Sequence, residues 1–248
     1  GEVAAFARAV HADGRGETVI LVAADDEAAQ AARAIAGDVA RVVVEPFGDI
    51  WLRDTAAILD GAGKAHDFGF NGWGGKYDLP GDDDVGARLA AQEQLEADRH
   101  DWVLEGGAID GDGTGLCVTT EQCVLNPNRN PELTREAIEA RLQSDLGYHR
   151  ILWLGEGLLN DHTDGHVDNL ARFIGENRLL IPQAEDNDPN WRVYQDAADR
   201  AAAFGVEVVR FPSPGRVLDE EGEISPASYM NFYIGNAAVV VPLYGQPN

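Results

Sequence analysis

Hydrophobic and polar positions along the chain follow two rhythms. "TVILVAA" (18–24) is a near-continuous apolar run of the length of a buried strand. Before it, Val3, Phe6, Ala7 and Val10 recur at helical spacing, which predicts a helix over residues 2–12. After it, Asp25 and Asp26 can cap an Ala-rich helix over 26–36, and Gly37 ends it. "VARVVVEP" (39–46) is the next strand. "GDIWLRDTAAILD", the turn "GAGK" and "AHDFGF" then read as strand, turn, strand. A glycine-rich, acidic loop (71–84) precedes a helix over 84–97. "WVLEGGAID" and "GLCVTTEQCVLNP" are predicted strands joined by "GDG", followed by a helix over 132–146 with Pro131 near its start. The rest reads as the strands "RILWLG", "NLARFI" and "RLLIPQ", a helix at about 189–204, and the strands "VEVVRFP", "SYMNFYIGN" and "AAVVVPLYG". A strand-rich unit with one helix repeats, and all linkers are short. The expectation is one α/β domain over residues 1–248 built of similar units.

Composition narrows the classes. Of 248 residues, 44% are hydrophobic, enough for a sizeable core, yet no run approaches the length of a membrane span. A charged-then-apolar N-terminal signal is not evident, so a cytoplasmic location is expected. Two cysteines, Cys117 and Cys123, do not suggest a disulfide framework. The net charge of −24 argues against a nucleic-acid partner, because phosphate binding needs clustered Lys and Arg. An acidic surface attracts cations, although solubility or salt adaptation is by itself the simpler explanation.

Two motifs fail on context. "DGDGTGLCVTTE" has EF-hand-like spacing through Asp110, Asp112, Thr114 and Glu121, but β-type runs flank it where helices are needed, so a hairpin turn is expected. "GFNGWGGKYD" lacks the P-loop pattern, since Lys76 is followed by Tyr77. Cys117 and Cys123 fall in alternating, strand-like sequence and read as buried structural thiols.

Three other segments put an acid beside a β-type run. In "DIWLRD", Asp54 follows Trp51 by three residues, an acid near an aromatic wall suited to a flat cation. In "WVLEGG", Glu105 ends an apolar strand, where a carboxylate needs a partner, such as a histidine it could orient. In "HTDGHVDN", His166 and Asp168 share one side of an extended chain. His162 and His166 would share a face only on a helix, which Gly165 disfavours, so an H-x-x-x-H zinc site is weakly supported.

Together "GDIWLRD", "FNGWGGKYD", "LEGGAIDGDGTGLCVTTEQCVLNPNRNP" and "TDGHVDNLARF" closely resemble the agmatine deiminase and bacterial peptidylarginine deiminase family, in the right order over most of the chain. The resemblance implies the pentein fold, a pseudo-fivefold α/β propeller of ββαβ units. It implies hydrolysis of a guanidinium to a ureido group with release of ammonia, and neither a metal nor an organic cofactor. The cationic substrate implied is agmatine, in putrescine and polyamine metabolism, with peptidylarginine or another alkylguanidine as the alternative. By motif match, His166 is the expected general acid/base, Asp54 and Asp168 hold the guanidinium, Glu105 orients His166, and Trp51 lines the site.

The family's nucleophilic cysteine lies in a glycine-rich segment after a strand like "VVVPLYG", so it is expected beyond Asn248, with the chain truncated at both ends. "RDTAA" stands where "RDTGP" is usual, and "TDGH" where "TNGH" is expected of agmatine deiminases. A non-catalytic pentein scaffold that binds a guanidinium or a partner protein is the other class consistent with these residues. Oligomeric state is left open, a homo-oligomer included.

Overall fold

The computed structural model describes residues 1–245, so the last three residues of the expected 1–248 domain lie outside it. Helix α1 (Glu2–His11) buries Ala4, Ala7 and Val10; of the expected stripe Ala7 and Val10 face inward, while Val3 and Phe6 are exposed and Ala4 takes the buried position. Strands β1 (Val19–Ala23) and β2 (Ala40–Val44) pair in parallel across helix α2 (Asp26–Ala36). The Asp25 carboxylate accepts the Ala28 N–H at 2.8 Å and caps α2, a contribution of about 1 kcal/mol.

Three complete ββαβ units follow. In the first, β3 (Ile58–Leu59) pairs antiparallel with β4 (Ala65–Gly69), and β4 pairs in parallel with β5 (Ala97–Val103) after helix α5 (Val85–Gln92). The expected strand over "GDIWLRDTAAILD" is instead an irregular stretch holding the one-turn helix α3 (Leu52–Thr55), with only β3 extended, and the glycine-rich loop holds a second single turn, α4 (Gly72–Gly75). In the second unit, β6 (Ile109–Gly111) and β7 (Leu116–Thr120) form the expected hairpin, and β7 pairs in parallel with β8 (Arg150–Leu154) across helix α7 (Arg135–Leu146). Asp112 braces the hairpin turn, accepting the Thr114 N–H at 2.7 Å. In the third, β9 (Arg172–Gly175), β10 (Arg178–Gln183) and β11 (Glu207–Pro212) repeat the pattern around helix α8 (Trp191–Phe204). A short hairpin, β12 (Tyr233–Ile234) with β13 (Val239–Val240), closes the described chain.

Strand alternation joins successive units into a continuous core. Leu116, Val118, Leu152 and Leu154 point from β7 and β8 into a cluster with Tyr194, Ala197 and Ala201 of α8. Cys117 and Trp153 point the other way, into a cluster with Ile138 and Leu142 of α7. Every second residue therefore serves a different helix, which suits strands covered on both faces.

Cys123 departs from the strand expected of it. It lies in α6 (Glu121–Val124), one helical turn after β7, with Thr120 as its N-cap. Cys117 is in β7 as expected, and both thiols are fully buried.

Candidate active site

The site residues come from equivalent places in successive units, after the last parallel strand of one and before the first strand of the next. Trp51 and Asp54 lie between β2 and β3, and Glu105 between β5 and β6. His166 and Asp168 lie between β8 and β9, and Asn231 between β11 and β12. Connecting segments set on a rigid frame are where functional side chains concentrate, and these crossings mix such polar residues with buried apolar ones such as Leu104 and Val167.

They converge over Gly107. A Cβ built on this glycine would stand 2.6 Å from His166 Nδ1, 2.7 Å from Asp54 Oδ1 and 2.8 Å from Asp168 Oδ2. The absent side chain leaves a space bounded by two carboxylates and an imidazole. Asp54 Oδ1 accepts the Gly107 N–H at 2.8 Å, and Asp54 Oδ2 accepts the Trp73 indole N–H at 2.9 Å. His166 Nδ1 is 3.7 Å from Asp54 Oδ1. On the far side, the Asn231 amide donates to Asp168 Oδ2 at 3.4 Å and to Asn169 Oδ1 at 3.2 Å.

Burial and charge set the protonation of this group. His166 is buried, which alone would disfavour its charge, but the Asp54 carboxylate, the Cys123 thiol and Asp168 outweigh burial and hold it well above the ordinary histidine value. Burial pushes the Asp168 carboxyl up to about 7, reinforced by Asp54 and opposed by His166. Two carboxylates thus crowd negative charge into a buried space, which a cation there would relieve.

The structure brings together Asp54, His166, Asp168 and Glu105, but not in every expected pairing. Glu105 is buried and its Oε1 accepts Arg129 Nε–H at 2.8 Å, and no hydrogen bond joins it to His166 among the described residues. Arg129 also donates to the Thr163 carbonyl at 2.8 Å and pairs with Asp164. Asp164 in turn binds Lys76 Nζ at 2.5 Å, and that ammonium donates to the His162 carbonyl at 2.7 Å. The chain Glu105–Arg129–Asp164–Lys76 ties the "EGG" turn, the "NRNP" turn and the "HTDGH" loop to the glycine-rich segment. His162 stands apart from His166, with its exposed ring edge-on to Trp73 and Tyr77. Trp51 is 49% exposed on the turn that carries Asp54, and the indole that touches Asp54 is Trp73, 1% exposed.

Sequence reasoning did not single out Trp73, Arg129 or Asn231. Arg129 and Trp73 lie inside the quoted blocks, and Asn231 could have been sought as the polar residue in the fourth crossing.

A carboxylate oxygen of Glu105, Cys123 Sγ and a ring nitrogen of His166 lie within 4.8 Å of one another, a donor set that zinc could use. The Arg129 guanidinium, bound to Glu105 Oε1, sets a fixed cation against that set. The arrangement suits a hydrogen-bonded network better than a divalent ion.

The profile of the Porphyromonas-type peptidyl-arginine deiminase family matches residues 1–248. An agmatine deiminase from Stutzerimonas stutzeri is 37% identical over 278 residues, covering 98% of this chain and 76% of that protein. The solved agmatine deiminase of Enterococcus faecalis, described as catalysing its reaction, superposes with a TM-score of 0.87 at 32% identity, over 98% of this chain and 75% of that one. A cysteine-to-serine variant of the C. jejuni agmatine deiminase, solved with substrate bound, superposes with a TM-score of 0.85 at 30% identity, over 99% and 75% of the two chains.

Proposed function

Because the chain belongs to the Porphyromonas-type peptidyl-arginine deiminase family of C–N hydrolases, with the pentein fold of ββαβ units, we propose that it hydrolyses agmatine to N-carbamoylputrescine and ammonia. One observation carries this reading: Asp54, Asp168 and His166 converge on the single space over Gly107. A guanidinium is planar, stays protonated at neutral pH and offers paired N–H donors. Asp54 and Asp168 are two acceptors facing that space, and charge-assisted pairing with both would fix the plane of the cation. Removing charge from two crowded carboxylates favours a cation over a neutral ligand.

The reaction needs an anionic nucleophile at the guanidinium carbon and a proton for the departing nitrogen. His166, held above its ordinary pKa, has that proton to give. The nucleophile's sulfur forms a bond to carbon, ammonia leaves with the proton from His166, and a thiouronium remains on the enzyme. Water then gives a proton back to His166 and adds to carbon. Collapse expels the thiolate, and the hydroxyl proton passes to solvent, where it converts the released ammonia to ammonium, leaving the neutral ureido product.

Neither Cys117 nor Cys123 is suited to supply that thiolate. Both are completely buried, and burial raises both thiols. We therefore place the attacking cysteine outside these 248 residues, at the remaining crossing of the repeat. The substrate-bound cysteine-to-serine variant of the C. jejuni relative supports a cysteine in that role.

Agmatine is favoured over peptidylarginine because the relatives bear that activity and because the net charge of −24 suits a small dication. The test is to incubate the full-length gene product with agmatine, a peptidylarginine and free arginine, measuring ammonia and the ureido product. Turnover of agmatine at least about tenfold above the others in kcat/KM is expected. Peptidylarginine as the preferred substrate would overturn the assignment of agmatine, and no turnover of any guanidine would leave only a binding scaffold.

A further inference from the structure

We propose that Cys123 is a positioning residue for His166: its neutral thiol stands against the imidazole edge and holds the ring in the orientation and tautomer that the proton transfers need. The proposal rests on His166 being the proton carrier in the reaction above.

Two observations point to it independently. His166 Nε2 is buried and has no hydrogen-bond partner among the described residues. A buried imidazole nitrogen left bare forfeits its solvation, so a group beside it that can share a proton has an effect. The second observation is what surrounds the ring. Glu105 and Cys123 each place a donor atom within 4.8 Å of a His166 nitrogen and of each other. Arg129 Nε holds Glu105 through Oε1 at 2.8 Å, whereas the thiol can redirect its proton by rotation about one bond.

A thiol has the chemistry the task requires. During turnover His166 must be an imidazolium at one step and a neutral ring at the next. Sulfur is a weak acceptor and S–H a weak donor, so the same side chain accepts from an N–H and donates to a lone pair after a rotation about one bond. Weakness is an advantage here, because a strong fixed partner would stabilise one protonation state and slow its exchange. Burial raises the thiol, opposed by His166, so Cys123 stays neutral and does not compete as a nucleophile.

The backbone fixes the sulfur relative to the ring. The Thr120 hydroxyl donates to the Gly165 carbonyl at 2.6 Å, one residue before His166, and accepts the Cys123 N–H at 3.3 Å. Gln122 receives the Gly157 N–H on its Oε1 at 2.7 Å, and its own N–H donates to the Gly155 carbonyl at 3.2 Å. A single turn of helix thus grips the His166 loop at both ends. The placement of Cys123 follows from this clasp, whereas a cysteine elsewhere in the core is only a small apolar filler.

The experiment compares the full-length protein with Cys123→Ala and Cys123→Ser by imidazole 15N NMR of His166 across pH, alongside the pH profiles of kcat and KM for agmatine. In Cys123→Ala, the His166 midpoint moves to lower pH, its tautomer ratio changes, and kcat falls about 3- to 30-fold with KM within twofold. Cys123→Ser, which restores a donor and acceptor, recovers the midpoint. Unchanged His166 titration in both variants, with only a lower melting temperature, overturns the proposal. If Cys123→Ala fails to fold, a wild-type His166 titration together with a wild-type kcat profile in Cys123→Val overturns it equally. Should the protein turn over no guanidine, the NMR arm still decides whether Cys123 governs His166, so the two readings fail separately.

Discussion

Asp54 Oδ1 stands 3.7 Å from His166 Nδ1 while accepting the Gly107 N–H at 2.8 Å, so one carboxylate oxygen serves both the floor of the site and its proton carrier. Asp54→Asn keeps the shape and removes the charge that most strongly raises His166. The His166 midpoint should fall, which histidine NMR would read in the absence of substrate. Turnover should fall by about 10²–10³-fold, the usual scale for losing one preorganised electrostatic contact. An unmoved His166 midpoint would dissociate the pair.

Gly107→Ala tests whether the space over the glycine is the substrate's. Its Cβ would lie less than 3.0 Å from His166, Asp54 and Asp168, so these groups must part or the ligand must be excluded. Loss of about 100-fold in kcat/KM is expected, since an ångström of misplacement costs that much. Urea denaturation checks that the fold survives.

Asp168 should make the empty protein pH-sensitive in an unusual direction. Its folded pKa, about 7, lies above that of an unfolded aspartate, so the folded state binds the extra proton between those values. Stability from this group is present below the unfolded aspartate value and is lost as pH rises through about 7, above which the loss is complete. Asp168→Asn should therefore stabilise the ligand-free protein at pH 8 by on the order of 2–4 kcal/mol, while abolishing guanidinium binding. In the wild type, KM for agmatine should rise as pH falls below about 7, because the protonated carboxyl no longer attracts the cation. Equal stability of Asp168→Asn and wild type from pH 5 to 8 would refute this.

Much of this architecture is legible in the chain, for physical reasons. "TVILVAA" and "RLLIPQ" are legible as strands from their short apolar runs, "RILWLG" because its two faces pack into separate clusters, and Asp25 and Thr134 mark helix starts by capping them. Short elements are not legible in this way. Four residues of α3 or α6 give no period to read, so "IWLRD" and "TEQCV" resemble strand. Pairings across the fold are also hidden. Glu105 and Arg129 are 24 residues apart, and nothing local announces that the arginine pairs with this carboxylate. Trp51 is the aromatic nearest Asp54 in sequence, yet the chain folds Trp73 onto it from 19 residues away.

The Glu105–Arg129–Asp164 network predicts a large stability effect from a residue with no role in the chemistry. Both the Arg129 and Glu105 side chains are 1% exposed, so Arg129→Met leaves a buried carboxylate without its cation. A loss of about 3–5 kcal/mol in urea denaturation is expected. Arg129→Lys should recover little of it, because one ammonium cannot replace the fork that reaches Glu105, Asp164 and the Thr163 carbonyl together. Full stability in the lysine variant would show that charge alone suffices.

Trp73 and Trp51 give the sharpest contrast between nearness in sequence and nearness in space. Trp73 is buried with a left-handed backbone (φ 53°), and its indole N–H reaches Asp54 Oδ2 at 2.9 Å. Trp73→Phe preserves most of the packing against Phe70 and Tyr77 but leaves a buried carboxylate oxygen without its donor. A hydrogen bond to a charged group is worth about 1.5–3 kcal/mol, so kcat/KM for agmatine should fall roughly 10- to 100-fold. Trp51→Phe shrinks an exposed ring on the turn carrying Asp54, and its effect should stay within about threefold and fall on KM, as for reduced contact with the substrate's tail. The opposite order, with Trp51 the costlier substitution, would place the guanidinium against Trp51 and remove Trp73 from the site.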